Sequence, residues 1–127
     1  MSYHFSKKLS LDFNVAVEKV TEALQKEGFG ILTEIDVKET LKKKLDVDFR
    51  PYRILGACNP PFAYAALKIE DKIGTMLPCN VIVQKLEDGV EVSAIDPVAS
   101  MTAVKNKNLN EVALTIQNKL KSVIENL

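Results

Sequence analysis

The stretch "VIVQKLEDGVEVSAI", Val81 to Ile95, constrains the chain more than any other. Val81 and Val83 fall on one face of an outgoing strand, and "VEVSAI" reads as the returning one. Between them, Asp88-Gly89 is among the strongest two-residue hairpin signals. A hairpin pairs its strands antiparallel, so at least part of any sheet this chain builds is antiparallel.

The C-terminal segment adds a second constraint. Leu109, Val112, Ala113, Ile116, Leu120, Val123, Ile124 and Leu127 form one apolar stripe at helical spacing. Asn108 with Glu111 predicts a capping box in front of it. A helix with one apolar stripe needs a surface to cover, and a sheet face supplies one.

The remaining elements follow the same logic. "YHFSKKL" predicts a first strand with Tyr3, Phe5 and Leu9 on one face. Asp12 is placed to cap a helix carrying Phe13, Ala16, Val17, Val20 and Leu24, and Gly28 to end it. "FGILTEI" predicts a strand, after which Asp36 as N-cap and Glu39 at N3 open a short second helix. Val37, Leu41 and Leu45 share one side of it. Lys38, Lys42, Lys43 and Lys44 spread over the rest, and Glu39, Asp46 and Asp48 dilute them, so this reads as a solvated face rather than an anion patch. "VDFRPYRIL" predicts a third strand in which Pro51, lacking an N–H, implies an edge position or a bulge. In "CNPPFAYAALKIE", Asn59 predicts the N-cap and Pro60 the first position of a helix held to the core by Phe62, Ala65, Ala66 and Ile69. Asp96-Pro97 ends the hairpin, and "VASMTAVKNK" reads as a connecting segment whose Met101 packs under a neighbouring element.

The expected order is β-α-β-α-β-α-β-β-α, in a single domain over residues 1–127 without repeats or low-complexity linkers. The fold class that fits is α+β: a two-layer domain with a largely antiparallel or mixed sheet covered by helices. A doubly wound parallel sheet is the alternative, but "GFG" at Gly28 and Gly30 precedes a strand and is no phosphate-binding fingerprint.

Composition narrows the function classes. With 46% apolar and 27% charged residues, the chain has the make-up of a soluble globular protein. Seventeen basic residues balance seventeen acidic ones, so the clustered positive charge that holds nucleic acid is missing. No window approaches the ~20 apolar residues of a membrane helix. The first residues lack the apolar run and cleavage site of a signal peptide, and a cytoplasmic location is expected. Two cysteines are too few for a disulfide scaffold and are expected to be free thiols.

Those two cysteines carry the main chemical expectation. Each stands directly before an asparagine, Cys58-Asn59 at a helix start and Cys79-Asn80 at a strand start. Asparagine satisfies orphaned backbone groups at corners and a free cysteine tolerates burial, so corner chemistry alone accounts for both pairs. The functional reading brings both corners to one pocket, together with Arg50 or Tyr52. Cys58 would then be the activated thiol, one residue outside a helix start where backbone donors converge, with Cys79 as its resolving partner and Arg50 or Arg53 steadying the thiolate. Two cysteines and a distant His4 fall short of a tetrahedral metal site, so no metal is assigned. No motif marks haem or another cofactor. A separate reading is acid-base catalysis by Glu34 and Asp36, which alternate with Ile35 on a strand, or by Asp96. The lone histidine, His4, has no serine-protease-type grouping around it.

The segments "GFGILTEIDVKETLKKKLDVDFRPYRILGACNPPFAYAAL", "IGTMLPCNVIV" and "SAIDPVASM" together resemble the family called domain of unknown function 302, whose members are small bacterial and archaeal α+β domains. Glu34, Asp36, Arg50, Tyr52, Cys58, Asn59, Pro60, Pro78, Cys79, Asn80, Asp96 and Pro97 match the family pattern. The resemblance implies the fold and no shared activity. The expectation is a protein that binds a small ligand or senses redox state around Cys58 and Cys79. Its alternatives are a structural or protein-interaction homodimer module without a small-molecule site, and an acid-base enzyme. A homodimer is expected from the high apolar fraction of a short chain and from an edge strand that needs cover.

Overall fold

The computed structural model describes residues 2–127. In chain order its elements are β1 (His4–Leu9), α1 (Phe13–Lys26), β2 (Gly30–Asp36), α2 (Val37–Leu45), β3 (Tyr52–Cys58), α3 (Pro60–Ile69), β4 (Cys79–Leu86), β5 (Gly89–Ile95), α4 (Pro97–Ser100) and α5 (Asn110–Glu125). Short 3-10 turns lie at Ile73–Met76 and Lys107–Leu109. The expected order is present, with α4 added inside the segment that reads as a connection.

One sheet holds all five strands in the order β1-β5-β4-β3-β2, and every pairing is antiparallel. No doubly wound parallel sheet forms. Side chains of a strand alternate between faces, and the register brings the apolar set together on one of them. Phe5 and Leu9 of β1 stand opposite Ala94 and Val90 of β5. Val92 and Ala94 oppose Val83 and Val81 of β4, and Val81 and Cys79 oppose Leu55 and Ala57 of β3. Ala16, Val20 and Leu24 of α1 and Ile116, Leu120, Val123 and Ile124 of α5 close over this face as the main core. A smaller cluster of Ala66, Ile73 and Leu109, with Leu77, Met101 and Val112 against it, joins α3, the two 3-10 turns and α5.

Three local readings change. β3 is interior, between β4 and β2. Pro51 precedes it, so its missing N–H costs the ladder nothing, and its carbonyl accepts a bond from the Lys85 N–H at 2.9 Å. The hairpin loop is Glu87-Asp88, and Gly89 already pairs with Leu86. Gly89 has φ +148°, and a Cβ there would stand 2.9 Å from the Leu9 carbonyl, which explains a glycine inside the strand. At the last helix, Asn106 replaces Asn108 as the capping side chain. It accepts from the Asn108 N–H at 3.1 Å and starts the 3-10 turn that runs into α5. By contrast, α2 keeps its predicted cap, with Asp36 accepting from the Glu39 N–H at 3.0 Å, and buries none of its side chains.

Candidate functional site

Cys58 ends β3, and Cys79 opens β4 on the adjoining strand, directly opposite Ala57. The chain leaves β3 through Asn59, which is the N-cap of α3, and enters β4 through a cis Leu77–Pro78 peptide. These corners meet at a cavity of about 320 Å³ that opens between the main core and the smaller cluster. Phe29, Ala57 and Cys79 form its sheet-side wall, Phe62, Ala63 and Ala66 come from α3, and Val112, Ala113 and Ile116 come from α5. Leu77, Met101 and Leu109 belong to the smaller cluster, and the exposed Leu32 and Leu67 stand at the rim. Aside from the two thiols, no ionisable side chain among the described residues lines it.

Asn59 is the polar side chain in this wall, and 8% of its surface is exposed. An N-cap side chain ordinarily accepts from the N–H of the second or third helical residue. Here the first two are Pro60 and Pro61, which have no N–H to give, and the Asn59 side chain makes no capping bond. Its Nδ2 instead donates to the Glu27 carbonyl at 3.2 Å, across the end of α1. That end depends on Gly28, whose φ is +88°. A Cβ on Gly28 would come within 3.1 Å of Asn59 Nδ2. The amide is thereby oriented, and Oδ1 accepts nothing from any described residue.

The same two prolines change the expected setting of Cys58. The converging backbone donors of a helix start are largely absent, since two of the first three helical residues carry no N–H. Cys79 is buried, and burial pushes its thiol up to about 11 from the ordinary 9.0, with the neighbouring Cys58 adding to the effect. Both cysteines are free.

The other residues singled out in the sequence lie elsewhere. Arg50 and Tyr52 sit at the opposite end of β3, about 20 Å of strand away from Cys58. Arg50 donates to Gln84 at 3.0 Å and covers the rings of Phe49 and Tyr52. Asn80 does not line this cavity; it faces a neighbouring depression with Thr75, Met76 and Ser100 that shares Pro78, Cys79 and Met101 with the cavity wall. Glu34 and Asp36 do share a side of β2, where both pair with Arg53, at 2.6 and 3.5 Å. Asp96 caps α4 through the Val98 N–H at 3.0 Å and accepts from Gln117 Nε2 at 3.1 Å. Each of the three carboxylates is engaged in structure, and none lines the cavity. Arg53 is held by these acids and stacks near Phe13, so it is not beside either thiol. His4 bonds to Ser6 at 2.7 Å on β1.

Sequence reasoning missed most of the cavity wall. Leu32, Leu67, Leu77 and Val112 read only as generic apolar positions, and the signal that marks the site locally is the Cys-Asn-Pro-Pro corner. Among the described residues no helix is long and apolar enough to cross a membrane, and no three His, Cys, Asp or Glu side chains gather as a metal would require. No curated protein matches the chain. A crystal structure of an uncharacterized conserved DUF302 protein from Bacillus stearothermophilus is similar over 98% of both chains, with 28% identity and a TM-score of 0.91. The pattern of the family described as domain of unknown function DUF302 matches residues 5–127, and with that match and the shared fold the chain belongs to this family.

Proposed function

We propose that this protein is a binding module for a small, neutral, largely apolar molecule held at the cavity beside Cys58, Asn59 and Cys79. The observation that carries this reading is the cavity wall, which is apolar around one oriented amide and, among the described residues, contains no charged group to receive an ion. A charged ligand would lose its hydration there without gaining a partner. The volume, about 320 Å³, is at the lower end of ligand pockets.

The thiol reading ranks below it. Cys79, with a value near 11, stays protonated at neutral pH, and the prolines remove two of the first three helix-start N–H groups next to Cys58. The acid-base reading has lost its free carboxylates to Arg53 and to the α4 cap. A homodimer is the second reading, and it concerns a different surface: the sheet face turned away from the helices, where Ile35, Ile54 and Ile82 lie side by side in register.

The cavity is tested with indene as an apolar probe, followed by amide NMR shifts. Saturable shifts are expected in residues 57–66 and 109–116, and the substitution Ala66→Phe, which fills the space from α3, is expected to abolish them while the spectrum stays dispersed. Absence of any saturable shift in the unsubstituted protein would overturn the reading.

A further inference from the structure

We infer that the molecule bound at this cavity is a neutral apolar skeleton bearing one hydrogen-bond donor, a hydroxyl or a ring N–H, directed at Asn59 Oδ1. This ligand class rests on the proposed binding function of the cavity.

Three observations combine. Asn59 is more than nine-tenths buried and lines the cavity. Its Nδ2 is committed to the Glu27 carbonyl at 3.2 Å, which fixes the amide so that Oδ1, an acceptor, is the atom left over. Pro61 withholds one of the two backbone donors that an N-cap oxygen normally takes, and the other, the Phe62 N–H, makes no bond to the Asn59 side chain. No fully buried side-chain oxygen or nitrogen among the described residues lacks a partner. Oδ1 has none, so it retains contact with open space, and the cavity lies against this side chain. An acceptor in an apolar wall is costly to cover with hydrocarbon and is satisfied by a donor. Rejection follows from the same chemistry: a ligand of equal shape without the donor buries the oxygen unpaired. The absence of charged lining groups sets the skeleton as neutral. A cavity of about 150 Å³ accommodates one benzene ring, so about 320 Å³ accommodates a skeleton of up to two fused rings.

The test compares indole with indene, its near-isostere without the N–H, in the full-length protein by NMR titration. Indole is expected to bind about three-fold or more tighter, although indene is the more apolar of the two. In Asn59→Leu the preference is expected to disappear or reverse, with indene still bound. That variant also removes the bond to Glu27, so a second readout uses the unsubstituted protein: the Asn59 side-chain carbonyl ¹³C resonance, displaced by ring current with either probe, should move further with indole, and the bound indole N–H proton should move downfield. Equal binding of both probes, or an indole N–H proton that does not move downfield on binding, would overturn the donor assignment and leave the cavity reading standing. Binding of neither would overturn both.

Discussion

At Cys79 the position of a single side chain has a measurable pH signature. The thiol stands on the core face of β4 with 9% of its surface exposed, and burial raises it from 9.0 to about 11. Below pH 9.0 the folded and unfolded states both hold the proton, and its stabilising contribution is fully present. Between 9.0 and about 11 the unfolded chain releases the proton while the folded chain keeps it, so stability falls as pH rises. The slope from this group is about 1.4 kcal/mol per pH unit within that window. Urea unfolding measured across the window should show a steeper alkaline loss in the unsubstituted protein than in Cys79→Ala. Identical slopes would mean that the thiol is not protected. Asn59 illustrates how far a residue-level reading reaches. Its place as N-cap follows from Asn-Pro-Pro alone, but its bond to Glu27 joins two segments 32 residues apart and has no local signature. Pro61, one of the prolines that mark the helix start, also withholds one of the two N–H groups that would otherwise reach the oxygen.

Between elements, α5 and α2 show why a stripe predicts a helix more securely than it predicts burial. Both carry apolar residues at helical spacing, and both form. The stripe of α5 lies over the sheet, and Leu120 is fully buried. The stripe of α2 meets little, and Leu45 keeps 66% of its surface exposed. Periodicity is a local property, whereas cover depends on which segments the rest of the chain brings alongside. Leu120→Ala should therefore cost about 2–5 kcal/mol, while Leu45→Ala should change stability by less than about 0.5 kcal/mol. Chemical denaturation of the two variants checks this, and comparable losses would show that α2 is part of the core. Pro51 follows the same rule. The sequence carries the missing N–H, but whether it lies inside the ladder is decided by the start of β3 one residue later. The cavity was illegible for a related reason: it is the space left between two apolar clusters, and no residue encodes a gap by itself.

For the molecule as a whole, the asymmetry of the sheet bears on assembly. The helices of the main core cover one face. On the other, the register sets Ile35, Ile54 and Ile82 in a cross-strand row that continues into Ser93 and Ser6. Ser6 and Ser93 bond to each other at 2.7 Å, so the polar end of the row is satisfied internally, and the isoleucine end is where contact would release water. Two copies related by a two-fold axis present the same row to each other, which is the self-complementary geometry of the commonest homodimers. Equal numbers of basic and acidic residues leave no net charge to oppose the approach. Light scattering at micromolar concentration should then give twice the 14.1 kDa chain mass. Ile54→Lys with Ile82→Lys should halve the measured mass, and the amide spectrum should remain dispersed, because neither residue belongs to either apolar cluster. A monomer throughout the concentration range would remove the dimer. A dimer that survives both lysines would move the contact to an edge of the sheet, where β1 and β2 each leave one side unpaired. The ligand cavity lies on the helical side of the sheet, so binding of indene should be the same in the double-lysine variant. A loss of indene binding there would show that the two faces are coupled through β3 and β4, whose opposite sides carry the isoleucine row and the cavity wall.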